Sequence, residues 1–243
     1  MTGGAKLPVL VVGDVHGDLE RLFSALKPYP HEAWRTVFLG DLVDGGAFGV
    51  GALRYARDRP NSTVLAGNHE ALMLAALADR DQELRWLGVG GQPHDLEELK
   101  KDPPLQEWLR TRPALLKLDD GTLVQHSDND GYRALLPPPQ DQPDAVAAIN
   151  ENTEWVLHNR PEFFWDVTSP YRIFEKQPLR LESWLQLTGA RRVVHGHSPH
   201  AESLPKAYHG GKAICFDGGL GRFGGPRYRK RTPAAASVAP LPP

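Results

Sequence analysis

Three times in its first seventy residues the chain passes through a short run rich in apolar and β-branched side chains and stops at a glycine. The runs are Pro8 to Val12 before Gly13, Arg35 to Leu39 before Gly40, and Thr63 to Ala66 before Gly67. Apolar runs this short, with little alternation, fit strands covered on both faces. Between them the spacing becomes helical. Leu19, Leu22, Phe23 and Leu26 share one face of a helix over 18–27, residues 49–58 fit a second helix, and Glu70 to Leu77 fit a third. Strand, helix, strand, helix is the order of a parallel α/β sheet.

The pattern then changes. Residues 79–112 are polar, carry Trp86 and Trp108, and read as a helical excursion. Leu115 to Leu118 and Thr122 to Gln125 flank Asp119-Asp120-Gly121, a hairpin signal. A proline-rich loop over 136–143, a helix over 144–157, and strands over 192–194 and 213–216 follow. With 243 residues and no internal repeat or boundary, residues 1–225 read as one domain. Residues 226–243, basic and then Pro/Ala-rich, read as a disordered tail, with Arg227 to Arg231 a solvated basic stretch.

Composition narrows the function classes. A net charge of -2 gives no reason to expect nonspecific binding to nucleic acid or to a membrane surface. The lone Cys215 excludes an intramolecular disulfide and fits a reducing compartment. The sequence shows neither a long apolar span nor a signal peptide, and the expectation is a cytoplasmic protein.

The chemistry sits at the strand ends. The first strand delivers Asp14 and His16, the second Asp41 and Asp44, and the third Asn68, His69 and Glu70. The hairpin strand ends in Gln125-His126-Ser127, and a later one in His195-Gly196-His197-Ser198-Pro199. In open α/β sheets ligands bind beyond the carboxyl ends of the strands. Taken singly, Asp14 or Asn68 reads as a helix cap, Asp44 as a turn residue and His126 as an ordinary strand-end histidine. Five strand ends carrying Asp, Asn or His, four of them beside a glycine, together read as one ligand-binding constellation.

These segments, GDVHG, GDLVDGG, GNHE, the single His126 and GHSP in that order, resemble the calcineurin-like metallophosphoesterases. The order and spacing most resemble the bacterial phosphoprotein (Ser/Thr) phosphatase and diadenosine tetraphosphatase branch, over about Val9 to Gly221. The resemblance implies an α/β fold with a layered sheet core of mixed parallel and antiparallel strands, helices outside, and a metal site at the strand ends. It implies that Asp14, His16 and Asp41 hold one divalent ion, and that Asp41, Asn68, His126 and His197 hold another. His195 is expected to stand behind them. The oxygen and imidazole donors suit Mn first, with Fe, Zn or Ni as alternatives.

The implied reaction is hydrolysis of a phosphorylated substrate, a phosphoprotein or a small phosphoester. Water activated between the two ions attacks phosphorus, and His69, held by Asp44, protonates the leaving alkoxide. The family pattern places a phosphate-gripping arginine where this chain has Gly45. A second such arginine, after the aromatic segment Phe163-Phe164-Trp165-Asp166, is matched here by Arg172, in preference to Arg133 or Arg160. The smaller Gly45 leaves room for a longer substrate, which keeps hydrolysis of a dinucleotide polyphosphate open as the alternative. A metal-binding scaffold without activity is the alternative from another class, against which the full ligand set and the His69–Asp44 pair argue.

Overall fold

A computed structural model of the chain describes residues 6–138, 144–221 and 233–242. The first half follows the expected rhythm. Strand β1 (Val9–Val12) leads to helix α1 (Leu19–Leu26), β2 (Arg35–Phe38) to α2 (Gly49–Asp58), and β3 (Ser62–Val64) to α3 (Asn68–Ala76). Asp18 caps α1 by accepting the Arg21 N–H at 3.1 Å. The excursion is helical, as α4 (Arg80–Gly88), α5 (Pro93–Lys100) and α6 (Pro103–Arg110). Asp79 and Asp102 accept backbone N–H groups at the starts of α4 and α6.

The expected hairpin forms from β4 (Leu115–Lys117) and β5 (Thr122–Gln125), which pair antiparallel. Its turn is fixed by Asp120, which accepts the Thr122 N–H at 2.9 Å, and by Gly121 at φ +82°. Then come α7 (Ala145–Asn159), α8 (Pro161–Thr168), α9 (Ile173–Lys176), α10 (Pro178–Thr188), β6 (Arg192–His195), β7 (Lys206–Tyr208), β8 (Ala213–Cys215) and β9 (Val238–Pro240).

The strands form two sheets, ordered β3-β2-β1-β9 and β4-β5-β6-β8-β7. β1, β2 and β3 run parallel, as do β5, β6 and β8, while β9, β4 and β7 lie antiparallel at the edges. Period-two alternation explains the layering. Val11 and Val37 of the first sheet share one buried cluster with Val124, Val194 and Ile214 of the second. Their neighbours Leu10, Val12 and Phe38 point instead into a cluster with Leu22, Leu53 and Leu72 of the outer helices. Leu123, Val193 and Ala213 do the same on the far side, against Leu157, Phe164 and Leu181. The result is helix, sheet, sheet, helix, with parallel strands of both sheets ending at one rim. No helix among the described residues is long and apolar enough to cross a membrane.

The tail corrects one expectation. Residues 233–242 are ordered: Val238, Ala239 and Pro240 pair with Val12, Val11 and Leu10, closing the edge of the first sheet. The Pro/Ala composition concealed a three-residue edge strand, a place where proline is tolerated. The basic stretch Arg227 to Arg231 and part of the proline-rich loop lie outside the described residues. Val238 is 2% exposed and packs with the outer cluster of the first sheet. Val238→Ala is therefore expected to cost about 1–2 kcal/mol in urea unfolding, whereas a dispensable tail would show no change.

Candidate metal centre

The carboxyl ends of the parallel strands deliver their polar residues into one buried place. Asp14 and His16 follow β1, and Asp41 and Asp44 follow β2. Asn68 and His69 form the first turn of α3 after β3, His126 follows β5, and His197 follows β6. Asp41 is at the centre. His16, Asp41 and His69 can each offer a ligand atom within one 4.8 Å cluster, and so can Asp41, His126 and His197. The Nε2 atoms of His126, His69 and His16 lie 3.3, 3.8 and 4.0 Å from Asp41 Oδ2. That oxygen is buried and accepts no aligned hydrogen bond, while Oδ1 accepts the His69 N–H at 3.0 Å. Asp14 Oδ2 lies 3.8 Å from His16 Nε2, and Asn68 Oδ1 lies 2.7 Å from His126 Nε2.

The backbone aims these groups. The His16 and His126 rings donate Nδ1–H to the carbonyls of Val43 at 3.0 Å and Leu39 at 3.1 Å, which turns each Nε2 toward Asp41. His197 bonds the Ser169 carbonyl through Nε2 at 2.8 Å, so Nδ1 is its ligand atom for this cluster. The Glu70 carboxylate accepts the N–H groups of Asp41 at 2.9 Å, Leu42 at 2.6 Å, Val43 at 3.3 Å and Gly67 at 3.1 Å. It thereby fastens the Asp41 loop to the start of α3. A side chain at Gly67 would drive its Cβ to 2.3 Å from the Asp41 nitrogen. His16, Asp41, Asp44 and His197 have φ of 46°, 50°, 69° and 63°, in the left-handed region. Non-glycine residues held there cost roughly 1–3 kcal/mol each and persist only where surroundings enforce them.

The electrostatics fit a cation. Burial raises the Asp14 carboxyl well above its ordinary range, and the charges of Asp217 and Asp41 add to this. Burial also opposes ionisation of Asp41, yet His126, His69 and His16 hold it well below the usual range. His16 is pushed down to about 4 by burial and by His69, and His197 to about 3 by burial and by His126, so both rings are neutral at pH 7 and can act as ligands. His126 uses its only ring proton of the neutral form on Leu39, so its Nε2 and Asn68 Oδ1 meet as two acceptors unless a proton or a cation lies with them. The donors present therefore suit divalent ions on either side of Asp41.

His69, whose Nε2 faces Asp41, has its Nδ1 2.6 Å from Asp44 Oδ2. Burial works against a charge on His69, but Asp41 and the bond to Asp44 outweigh it and lift its pKa to about 9. The His69 ring also meets Trp165 edge-on, with centroids 5.2 Å apart. His195 is buried behind the cluster, bonded to Tyr208 Oη at 2.6 Å. Arg172 is engaged elsewhere. Its backbone N–H reaches Asp128 Oδ1 at 2.6 Å and its guanidinium donates to the Pro199 carbonyl at 2.9 Å. Arg133 bonds Ser183 and Asp130, and Arg160 bonds Glu162. Two contacts carry no local sequence signal: Trp86 donates its indole N–H to Asp44 Oδ1 at 2.8 Å, and Glu70 does more than open a helix.

The sequence pattern of the calcineurin-like phosphoesterases matches residues 7–201. The chain belongs to that family. It is accordingly a metal-dependent phosphoester hydrolase of mixed α/β fold. Among solved structures it is similar to a cold-active protein-tyrosine phosphatase of a psychrophilic Shewanella species, at 19% identity and a TM-score of 0.61, covering 88% of this chain and 72% of that one. It is similar to a protein serine/threonine phosphatase from Saccharomyces cerevisiae, at 14% identity and TM-score 0.56, over 88% and 68% of the two chains. A putative diadenosine tetraphosphatase shares 19% identity at TM-score 0.51, over 88% and 84% of the two chains. These likenesses establish the shared fold. No curated protein matches the chain in sequence.

Replacing Glu70 by Ala would leave four backbone N–H groups around Asp41 without their acceptor. The expected cost is about 3 kcal/mol or more in denaturant unfolding, and a cost below about 1 kcal/mol would show that the loop holds itself.

Proposed function

We propose that the protein hydrolyses phosphate monoesters as a Ser/Thr-type phosphatase of the bacterial kind, in the cytoplasm. The observation that carries this reading is that Asp41 is shared by His16 and His69 in one group and by His126 and His197 in the other, with His69 also bonded to Asp44. In this reading Asp14, His16 and Asp41 hold one divalent ion, and Asp41, Asn68, His126 and His197 hold the second, with Mn²⁺ the first choice. Ions bound there supply an activated water and neutralise charge on the phosphate.

The remaining work belongs to the chain. Asp44 fixes the orientation of the His69 ring and favours its protonated form. His69 then gives a proton to the departing alkoxide. Arg172 is the candidate for gripping the phosphate. To do so it would give up its bond to the Pro199 carbonyl, and a partly exposed guanidinium loses little by that exchange.

A second reading, hydrolysis of a dinucleotide polyphosphate, is favoured by the rim. Gly45 is exposed and presents no side chain there. Trp165 lies beside His69, and Tyr171, 59% exposed, has its ring 6.5 Å from that of His197. Aromatic rings on two sides of the cluster suit a substrate with aromatic groups at both ends.

Metal-stripped protein given back Mn²⁺ is expected to hydrolyse a phosphoserine peptide, read as released phosphate, faster than diadenosine tetraphosphate, read as the mononucleotides formed. The reverse order by tenfold or more would favour the second reading. Inertness toward both and toward p-nitrophenyl phosphate, with metal bound, would reject hydrolysis. Asp41→Asn is expected to abolish metal-dependent turnover in a folded protein. His69→Asn is expected to slow turnover of the phosphoserine peptide roughly 100-fold while metal content is retained, and full activity would remove His69 from its role.

A further inference from the structure

We infer that Trp86 is a positioning residue for proton donation: its indole N–H locks the Asp44 carboxylate in the orientation that holds His69. The inference rests on the phosphoesterase reading above. Asp44 is fully buried, and each of its oxygens has one close partner. Oδ2 faces His69 Nδ1 at 2.6 Å, and Oδ1 accepts Trp86 Nε1–H at 2.8 Å. A carboxylate bonded through one oxygen can rotate about its own axis, whereas one bonded through both cannot without breaking a buried bond. Indole nitrogen is a donor only, so the contact has a single direction.

The indole itself is immobilised. Trp86 is fully buried, and a Cβ added at Gly91 would fall 2.3 Å from its ring, so the ring lies flush against the backbone there. The segment around Trp86 holds the same loop at further points. The Gly45 N–H donates to the Gly90 carbonyl at 2.9 Å, His94 Nε2 bonds the Ala47 carbonyl at 2.9 Å, and Asp95 Oδ1 accepts the Val50 N–H at 3.0 Å. The preceding residue of α4 acts on the other partner. Arg85 lies 5.7 Å over the Trp165 ring that meets His69, and bonds Asp166 at 2.6 Å. Consecutive residues of one helix thus bear on Asp44 directly and on His69 through Trp165. The part of the excursion from Arg85 to Asp95 is a clamp on the proton-donating pair.

A packing role and a positioning role differ in their dependence on the leaving group. Proton donation is needed for an alkoxide and barely needed for p-nitrophenolate, which departs unprotonated. The test is the Mn²⁺-loaded full chain carrying Trp86→Phe, which keeps the aromatic ring and removes the N–H. The expected result is kcat lower by roughly tenfold on a phosphoserine peptide but by less than about twofold on p-nitrophenyl phosphate, as loss of one buried hydrogen bond to a charged group implies. Equal slowing on both substrates would overturn the inference in favour of packing, and no slowing on either would overturn it outright. Should Trp86→Phe fail to fold, Gly91→Ala, which displaces the indole and keeps it in the core, is read by the same criterion. Wild-type protein inert on both substrates would instead defeat the phosphoesterase reading, which a wild type active on both leaves standing.

Discussion

The site is organised around one carboxylate oxygen. Asp41 Oδ2 is buried, accepts no aligned hydrogen bond, and has three imidazole Nε2 atoms within 4.0 Å. A charged oxygen in such a place is costly unless a cation shares it. Two groups of ligand atoms meet at this residue, so whatever occupies one side is felt on the other. The arrangement also explains why neutral imidazoles coexist with an ionised Asp41: burial strips His16 and His197 of charge, while the histidines around Asp41 keep it ionised.

Holding that oxygen in place accounts for much of the surrounding architecture. Parallel strands in both sheets bring their ends to a common rim, which is how residues as far apart in sequence as Asp14 and His197 come to be in contact, with the His197 N–H 3.0 Å from Asp14 Oδ1. The short turns after the strands force His16, Asp41, Asp44 and His197 into left-handed conformations. Glu70 ties the Asp41 loop to the start of α3 with three backbone bonds to the loop and one to Gly67, and the α4–α5 segment ties down the residues from Asp44 to Val50. Rigid support of this kind is what a metal site requires, since its ligands must keep their aim when charge arrives.

The strand ends were legible in the sequence because each apolar run is followed at once by Asp, Asn or His, mostly beside a glycine, and neither local propensity nor composition hides such a pattern. The helices after Asn159 were not legible. Proline opens both α8 and α10, and without a view of Phe164 and Leu181 sharing one core the spacing reads as loop. Strand β9 was missed because Pro and Ala dominate it and its pairing with β1 is long-range. Glu70 was readable as a helix-start acid, but not as the acceptor for three amides of a different loop. Trp86 gave no signal at all, because its partner Asp44 lies 42 positions away and the bond exists only once α4 has packed against α3.

The central claim is that Asp41 bridges two divalent ions. Crystals soaked in Mn²⁺ and measured by anomalous scattering test it most directly. The account predicts two peaks flanking Asp41 Oδ2, one between Asp14 and His16 and the other among Asn68, His126 and His197. A single peak, or Mn²⁺ bound away from Asp41, would contradict it.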